Sequence, residues 1–136
     1  MKRTILMMTL LFLAAISCKE EKQSTQMKEV MAIHDEVMPA MTKLGNLVGE
    51  IKPMENDSTD LGKEYKQARE DLQAAHKSMM DWMQNFGNRF DPDEILNGKA
   101  LSDQKQQWLD EEEEKVKALR EEINTSIENA NSLLGK

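Results

Sequence analysis

The chain has 136 residues, 32% of them charged, a formal net charge of −7 and one cysteine. This length builds one small domain, and one cysteine excludes an internal disulfide framework. The acidic balance disfavours nucleic acid and anionic lipid headgroups, both of which would repel it.

Lys2 and Arg3 open the chain, and an apolar run follows from Ile5 to Ile16, broken only by Thr9. A charged start, an apolar run of about 12 residues and a small residue before a break mark a secretory signal. The run is shorter than the roughly 20 residues that cross a bilayer. Ala15-Ile16-Ser17-Cys18 resembles a bacterial lipobox, in which the cysteine is acylated and becomes the first residue of the mature protein. Ala15 stands where leucine is commoner, so cleavage by signal peptidase I is the alternative. The expected organisation is a lipoprotein signal peptide over 1–17, a lipidated tether over 18–24 and a helical bundle over 25–136, with Cys18 as the lipidation site. Loss of Lys2 and Arg3 with the signal makes the mature chain more acidic still, so membrane attachment must come from acyl chains on Cys18. One such chain binds marginally and several bind stably. The expected location is the outer membrane, reached through the inner one, on its periplasmic or outer face. Lys19-Glu20-Glu21-Lys22 reads either as a charged surface-export tag or as a solvated tether.

From about Ser24 the composition turns helical, rich in Glu, Lys, Gln, Ala, Leu and Met. In the first segment Val30, His34, Val37, Met41, Leu44, Val48 and Ile51 recur at steps of four and three, one helical stripe. Pro39 lies within it and should kink the helix near Asp35. Pro53 and the polar stretch Glu55 to Thr59 end the segment, with Ser58 or Thr59 placed to cap the next. The second stripe is Leu61, Tyr65, Ala68, Leu72, His76, Met79, Met83 and Phe86, with Gly87 offering a left-handed stop. Phe90-Asp91-Pro92-Asp93-Glu94-Ile95 carries the marks of a helix start: Asp91 as N-cap, Pro92 in the first turn and Glu94 at the capping-box position. It predicts a short helix from Pro92 to Asn97, closed by Gly98. Ser102 should cap a long helix reaching about Leu134, with Leu109, Val116, Leu119, Ile123, Ile127, Ala130 and Leu134 as its stripe. The acidic run Glu111 to Glu114 reads as a solvated face paired as Glu111–Lys115 and Glu113–Lys117.

Together these segments predict an all-α fold, an antiparallel up-down-up three-helix bundle with a short extra helix between the second and third long helices. The modest core leaves self-association as an option. Trp82 and Trp108 should pack with Phe86 near the second connection.

Histidine and methionine are unevenly placed. His34, Met38 and Met41 fall at i, i+4 and i+7, and His76, Met80 and Met83 repeat that spacing in the second helix. Folding the hairpin about Asn56 sets His34 opposite Met79 and Met80, and Met38 opposite Ala75 and His76. Thioether and imidazole together suit Cu(I), which makes His34, Met38, His76, Met80 and Met83 a candidate soft-metal set. The alternative is plain core packing, for which methionine is an ordinary gap-filler. Haem fits poorly, since no Cys-x-x-Cys-His is present.

Ile33-His34-Asp35-Glu36-Val37-Met38-Pro39, Ala75 to Met83 and the tail Ile123 to Leu134 carry a resemblance to a family. They are similar to small secreted helical lipoproteins of Bacteroidota, often labelled "viral A-type inclusion protein" after their Glu- and Lys-rich heptads. The resemblance spans the mature chain and implies an envelope lipoprotein without assigned catalytic residues. The residues themselves show no phosphate-binding glycine loop, nucleophile triad or zinc cluster. The expected function is therefore non-enzymatic: a lipid-anchored envelope protein acting as a protein-interaction or structural module, with no cofactor, no nucleic acid and a protein partner in the envelope. The alternatives are a periplasmic or surface copper-binding protein using the His/Met set, and a holdase-like chaperone, which requires an exposed Met stripe.

Overall fold

The computed structural model describes the chain from residue 2 to 136, with side chains from Glu21 onward. The predicted signal peptide and Cys18 lie outside the residues whose side chains are described. Four helices follow in order: α1 (Lys2–Ile51), α2 (Asp60–Arg89), α3 (Pro92–Leu96) and α4 (Asp103–Leu133), with a 3₁₀ turn at Lys52–Met54 between α1 and α2.

The boundaries follow local chemistry. Pro53 sits in the 3₁₀ turn that closes α1. Beyond it Asn56 Oδ1 accepts the Ser58 N–H at 2.9 Å, and Thr59 Oγ1 caps α2 by accepting the Gly62 N–H at 3.0 Å. Gly62 lies against this loop so tightly that a Cβ there would stand 2.2 Å from the Asn56 carbonyl oxygen. At α3 the Glu94 carboxylate accepts the Asp91 N–H at 2.8 Å, with Pro92 in the first turn. Gly98, at φ +68°, reverses the chain after α3, and Ser102 Oγ accepts the Lys105 N–H at 3.2 Å to start α4.

One expectation needs correction. Gly87 does not stop α2, which continues to Arg89; among the described residues only Gly98 and Gly135 have positive φ. The helix is prolonged because the Phe90 N–H still reaches the Phe86 carbonyl at 3.1 Å while its ring packs 4.8 Å from that of Phe86. Pro39 lies inside α1 without dividing it, although its ring denies a helical donor to the Asp35 carbonyl.

Cross-helix bonds fix the topology. Gln26 reaches Asp110 and Glu113, Arg120 reaches Glu36, and Lys136 pairs with Glu50, so α1 and α4 run parallel. Arg89 meets Glu111, Ser78 meets Glu122, and the Tyr65 hydroxyl donates to the Leu133 carbonyl, so α2 is antiparallel to α4. The result is the up-down-up bundle, with α1, α2 and α4 all in mutual contact. Among the described side chains, Gln23 of α1 is buried and accepts the Leu101 N–H at 3.2 Å.

Most of the predicted core is present. Val30, Val37, Leu44 and Ile51 from α1, and Leu109, Val116, Leu119, Ile123, Ile127 and Ala130 from α4, are all buried. In α2 the stripe turns by one residue. Ala75 and Trp82 are buried where His76 and Met83 were expected, and Leu61 is 54% exposed. Ala68, Leu72, Ala75, Met79, Trp82 and Phe86 keep an unbroken four-three alternation, the spacing that holds a seam against its neighbours. Choosing Trp82 over Met83 also buries the larger apolar surface.

Candidate functional site

The turn of α2 decides where the predicted His/Met set goes. His76 is exposed and Met80 is 48% exposed, while Met38 and Met83 are half-buried against the core. His34 is mostly covered, its ring stacked 5.8 Å from Trp82, and its Nδ1 lies 2.9 Å from the Asp35 carboxylate. The structure thus brings His34 to Trp82, a few positions beyond the expected Met79 and Met80. It leaves His76 and Met80 at the surface, so the five residues do not form one interior layer. Among the described residues no group of three or more His, Cys, Asp or Glu is placed to hold a metal ion. Among the described methionines most are packed, with Met27 and Met79 buried and only Met54 and Met80 prominently exposed.

What occupies that level instead is an aromatic ladder beside a buried acid. Trp82 stacks on Phe86 at 4.9 Å, and Phe86 meets Phe90, so one row of rings continues from His34 along α2. Trp108 does not join Phe86; the Arg89 guanidinium lies 5.3 Å from its ring centroid, a cation–π contact. The same guanidinium donates to Glu111 at 2.7 Å and to Glu112 at 2.8 Å.

Glu112 is the unexpected residue. It is fully buried, at 0% exposure, and its Oε1 also accepts from Lys115 Nζ at 2.9 Å. The acidic run is therefore not a uniformly solvated face. Glu113 pairs with Lys117 as expected, but Glu111 pairs with Arg89 and Lys115 turns to Glu112. Glu112 lies inward because it fills the slot between Leu109 and Val116, three residues after one and four before the other. That slot was legible from the α4 stripe; the three acidic neighbours hid it. On the α1 side, Lys117 and then Gln26 hold the Glu113 carboxyl below its ordinary range.

A recess of about 400 Å³ opens between α2 and α4 at this level. Trp82 and Glu112 both line it, and each carries a buried polar atom with no hydrogen-bond partner: Nε1 of Trp82 and Oε2 of Glu112. Buried polar groups are almost always paired, and each orphan costs about 1–3 kcal/mol. An unpaired donor and an unpaired acceptor, buried on two residues that line the same recess, make this the most chemically distinctive place in the described bundle.

No family model, curated protein or solved structure matches the chain. Among the described residues no helix is long and apolar enough to cross a membrane.

Proposed function

We propose that the protein is a non-enzymatic envelope lipoprotein, held to the membrane by acyl chains on Cys18, whose helical bundle serves as an interaction or structural module. The observation that carries this reading is Ser17-Cys18 directly after the charged and apolar leader. The geometry supports it in one respect. Gln23, which packs into the bundle, lies only five positions after Cys18. An anchor at Cys18 therefore sets the α3 end of the bundle beside the membrane. The loop after Ile51 then points away from it, roughly 40 Å out at 1.5 Å per helical residue. Met54 and Leu61, exposed at 47% and 54%, lie at that outer end, where a partner in the envelope would meet them.

The test is metabolic labelling with an alkyne fatty acid in cells making the wild-type chain or Cys18→Ser. Label on the wild type alone, with the variant released from the membrane fraction, is the expected result. Unlabelled wild-type protein cleaved before or after position 18 would overturn the lipoprotein reading.

A further inference from the structure

We propose that the recess between α2 and α4 is a binding site for a small amine bearing a neighbouring hydroxyl, with Glu112 receiving the ammonium and the Trp82 indole N–H receiving the oxygen. The two orphaned atoms are complementary to such a molecule: Oε2 of Glu112 needs a donor, and Nε1 of Trp82 needs an acceptor. Both side chains are more than nine-tenths buried, so neither orphan is relieved by bulk water. Asp81, Glu112 and Glu122 line the recess with Lys115. Lys77 pairs with Asp81, and Arg89 is shared between Glu112 and Glu111, so four carboxylates meet three cations and the balance stays slightly acidic. The volume of about 400 Å³ falls within the usual span of ligand pockets, and far exceeds the ~30 Å³ share of one water.

Trp82 already stacks with His34 and Phe86. What the indole leaves unpaired is its N–H, a donor only, which argues for an oxygen acceptor on the guest. Lys115 explains how the site is kept when no guest is bound. Its ammonium sits on Glu112 Oε1 while its side chain remains 51% exposed. It competes for the same carboxylate without satisfying Oε2, and a guest reaches that buried oxygen by moving it aside.

The probe is glucosamine, which has the amine and adjacent hydroxyls, compared with glucose (no amine) and cyclohexylamine (no oxygen). The chain as its host produces it, in detergent micelles and carrying ¹⁵N-labelled indoles, gives one indole signal each for Trp82 and Trp108. Trp108 is the internal control, since it does not line the recess. Glucosamine should shift the Trp82 signal saturably and leave Trp108 in place, with glucose and cyclohexylamine at least about ten-fold weaker. Lys115→Met should bind several-fold tighter, because the ammonium competing for the Glu112 carboxylate is gone. Glu112→Leu should fold and lose the response. The proposal is overturned if the Trp82 signal stays fixed at tens of millimolar glucosamine in both wild type and Lys115→Met, which would assign the orphans to trapped water alone. It is equally overturned if the three probes act alike, or if Glu112→Leu responds like wild type. None of these readouts depends on acylation of Cys18, so this site and the anchoring stand or fall separately.

Discussion

Replacing Glu112 by leucine should make the bundle more stable. Its Oε1 accepts from Arg89 and Lys115, whose side chains are 28% and 51% exposed. Both donors keep access to water, and Arg89 retains Glu111 at 2.7 Å. Removing the carboxylate therefore strands no buried cation, unlike the usual breaking of a buried pair. The loss is two charge-assisted bonds to partly solvated donors, about 1 kcal/mol each. Against this, a buried leucine contributes about 1.5–3 kcal/mol, and the orphaned Oε2, which costs about 1–3 kcal/mol, disappears. The net gain is about 0.5–4 kcal/mol, or a rise in Tm of roughly 2–16 °C at about 4 °C per kcal/mol for a domain near 100 residues. Thermal and urea unfolding followed by circular dichroism measure it, with an unchanged urea slope as the sign that the native state is intact. Glu112→Ala deletes the same charge without filling the slot and should fall about 2–5 kcal/mol below the leucine variant. If Glu112→Leu unfolds more easily than wild type by over about 1 kcal/mol, the reasoning fails, and the Arg89–Glu112–Lys115 cluster is what joins α2 to α4.

Gly62→Ala should destabilise despite the better helix former. The added methyl lies 2.2 Å from the Asn56 carbonyl oxygen. Overpacking of about 1–3 kcal/mol exceeds the gain of about 1 kcal/mol in helix propensity; an unchanged Tm would show that the 55–59 loop yields freely. The Glu113 carboxyl, held low by Lys117 and Gln26, stabilises the fold above its ordinary pKa of 4.5, and that contribution is lost as pH falls through its lower folded value. Glu113→Gln should therefore lose less stability than wild type between neutral pH and about pH 3, read from urea midpoints across that range. With His76 and Met80 at the surface and His34 engaged by Trp82 and Asp35, Cu(I) titration against a competing chelator should give no affinity tighter than micromolar. His34→Ala/His76→Ala should leave it unchanged; a tight site lost in that variant would restore the His/Met reading.

The helix ends were readable because each is set by a few adjacent residues. Pro53 with Asn56 to Thr59, Asp91-Pro92 with Glu94, and Ser102 all act within one turn of themselves, and the structure puts the boundaries there. The rotation of α2 was harder to read. His76 and Met83 and their neighbours Ala75 and Trp82 lie only 100° apart on the helix, and both pairs fit a broad apolar face. The choice between them rests on what α1 and α4 present opposite, which no single segment records. Gly87 misled for a related reason: a distant gain, the burial of Phe90, outweighs a local preference for stopping. Glu112 was concealed by composition, since an acid among four acids looks solvated until its position in the seam is counted. The candidate site is thus the part least evident from the chain, because it lies where the polar pattern and the helical period disagree.

The parallel course of α1 and α4 bears on how the molecule takes mechanical load. Gln23 grips Leu101 at one end and Glu50 grips Lys136 at the other, so the first and last segments are fastened at both extremities. Tension between an N-terminal tether and cargo fused after Lys136 would act along the helix axes, making the seams slide in shear across their full length at once. A hairpin pulled from neighbouring ends unzips one turn at a time under far lower force. Single-molecule stretching from the two termini should accordingly yield one abrupt rupture.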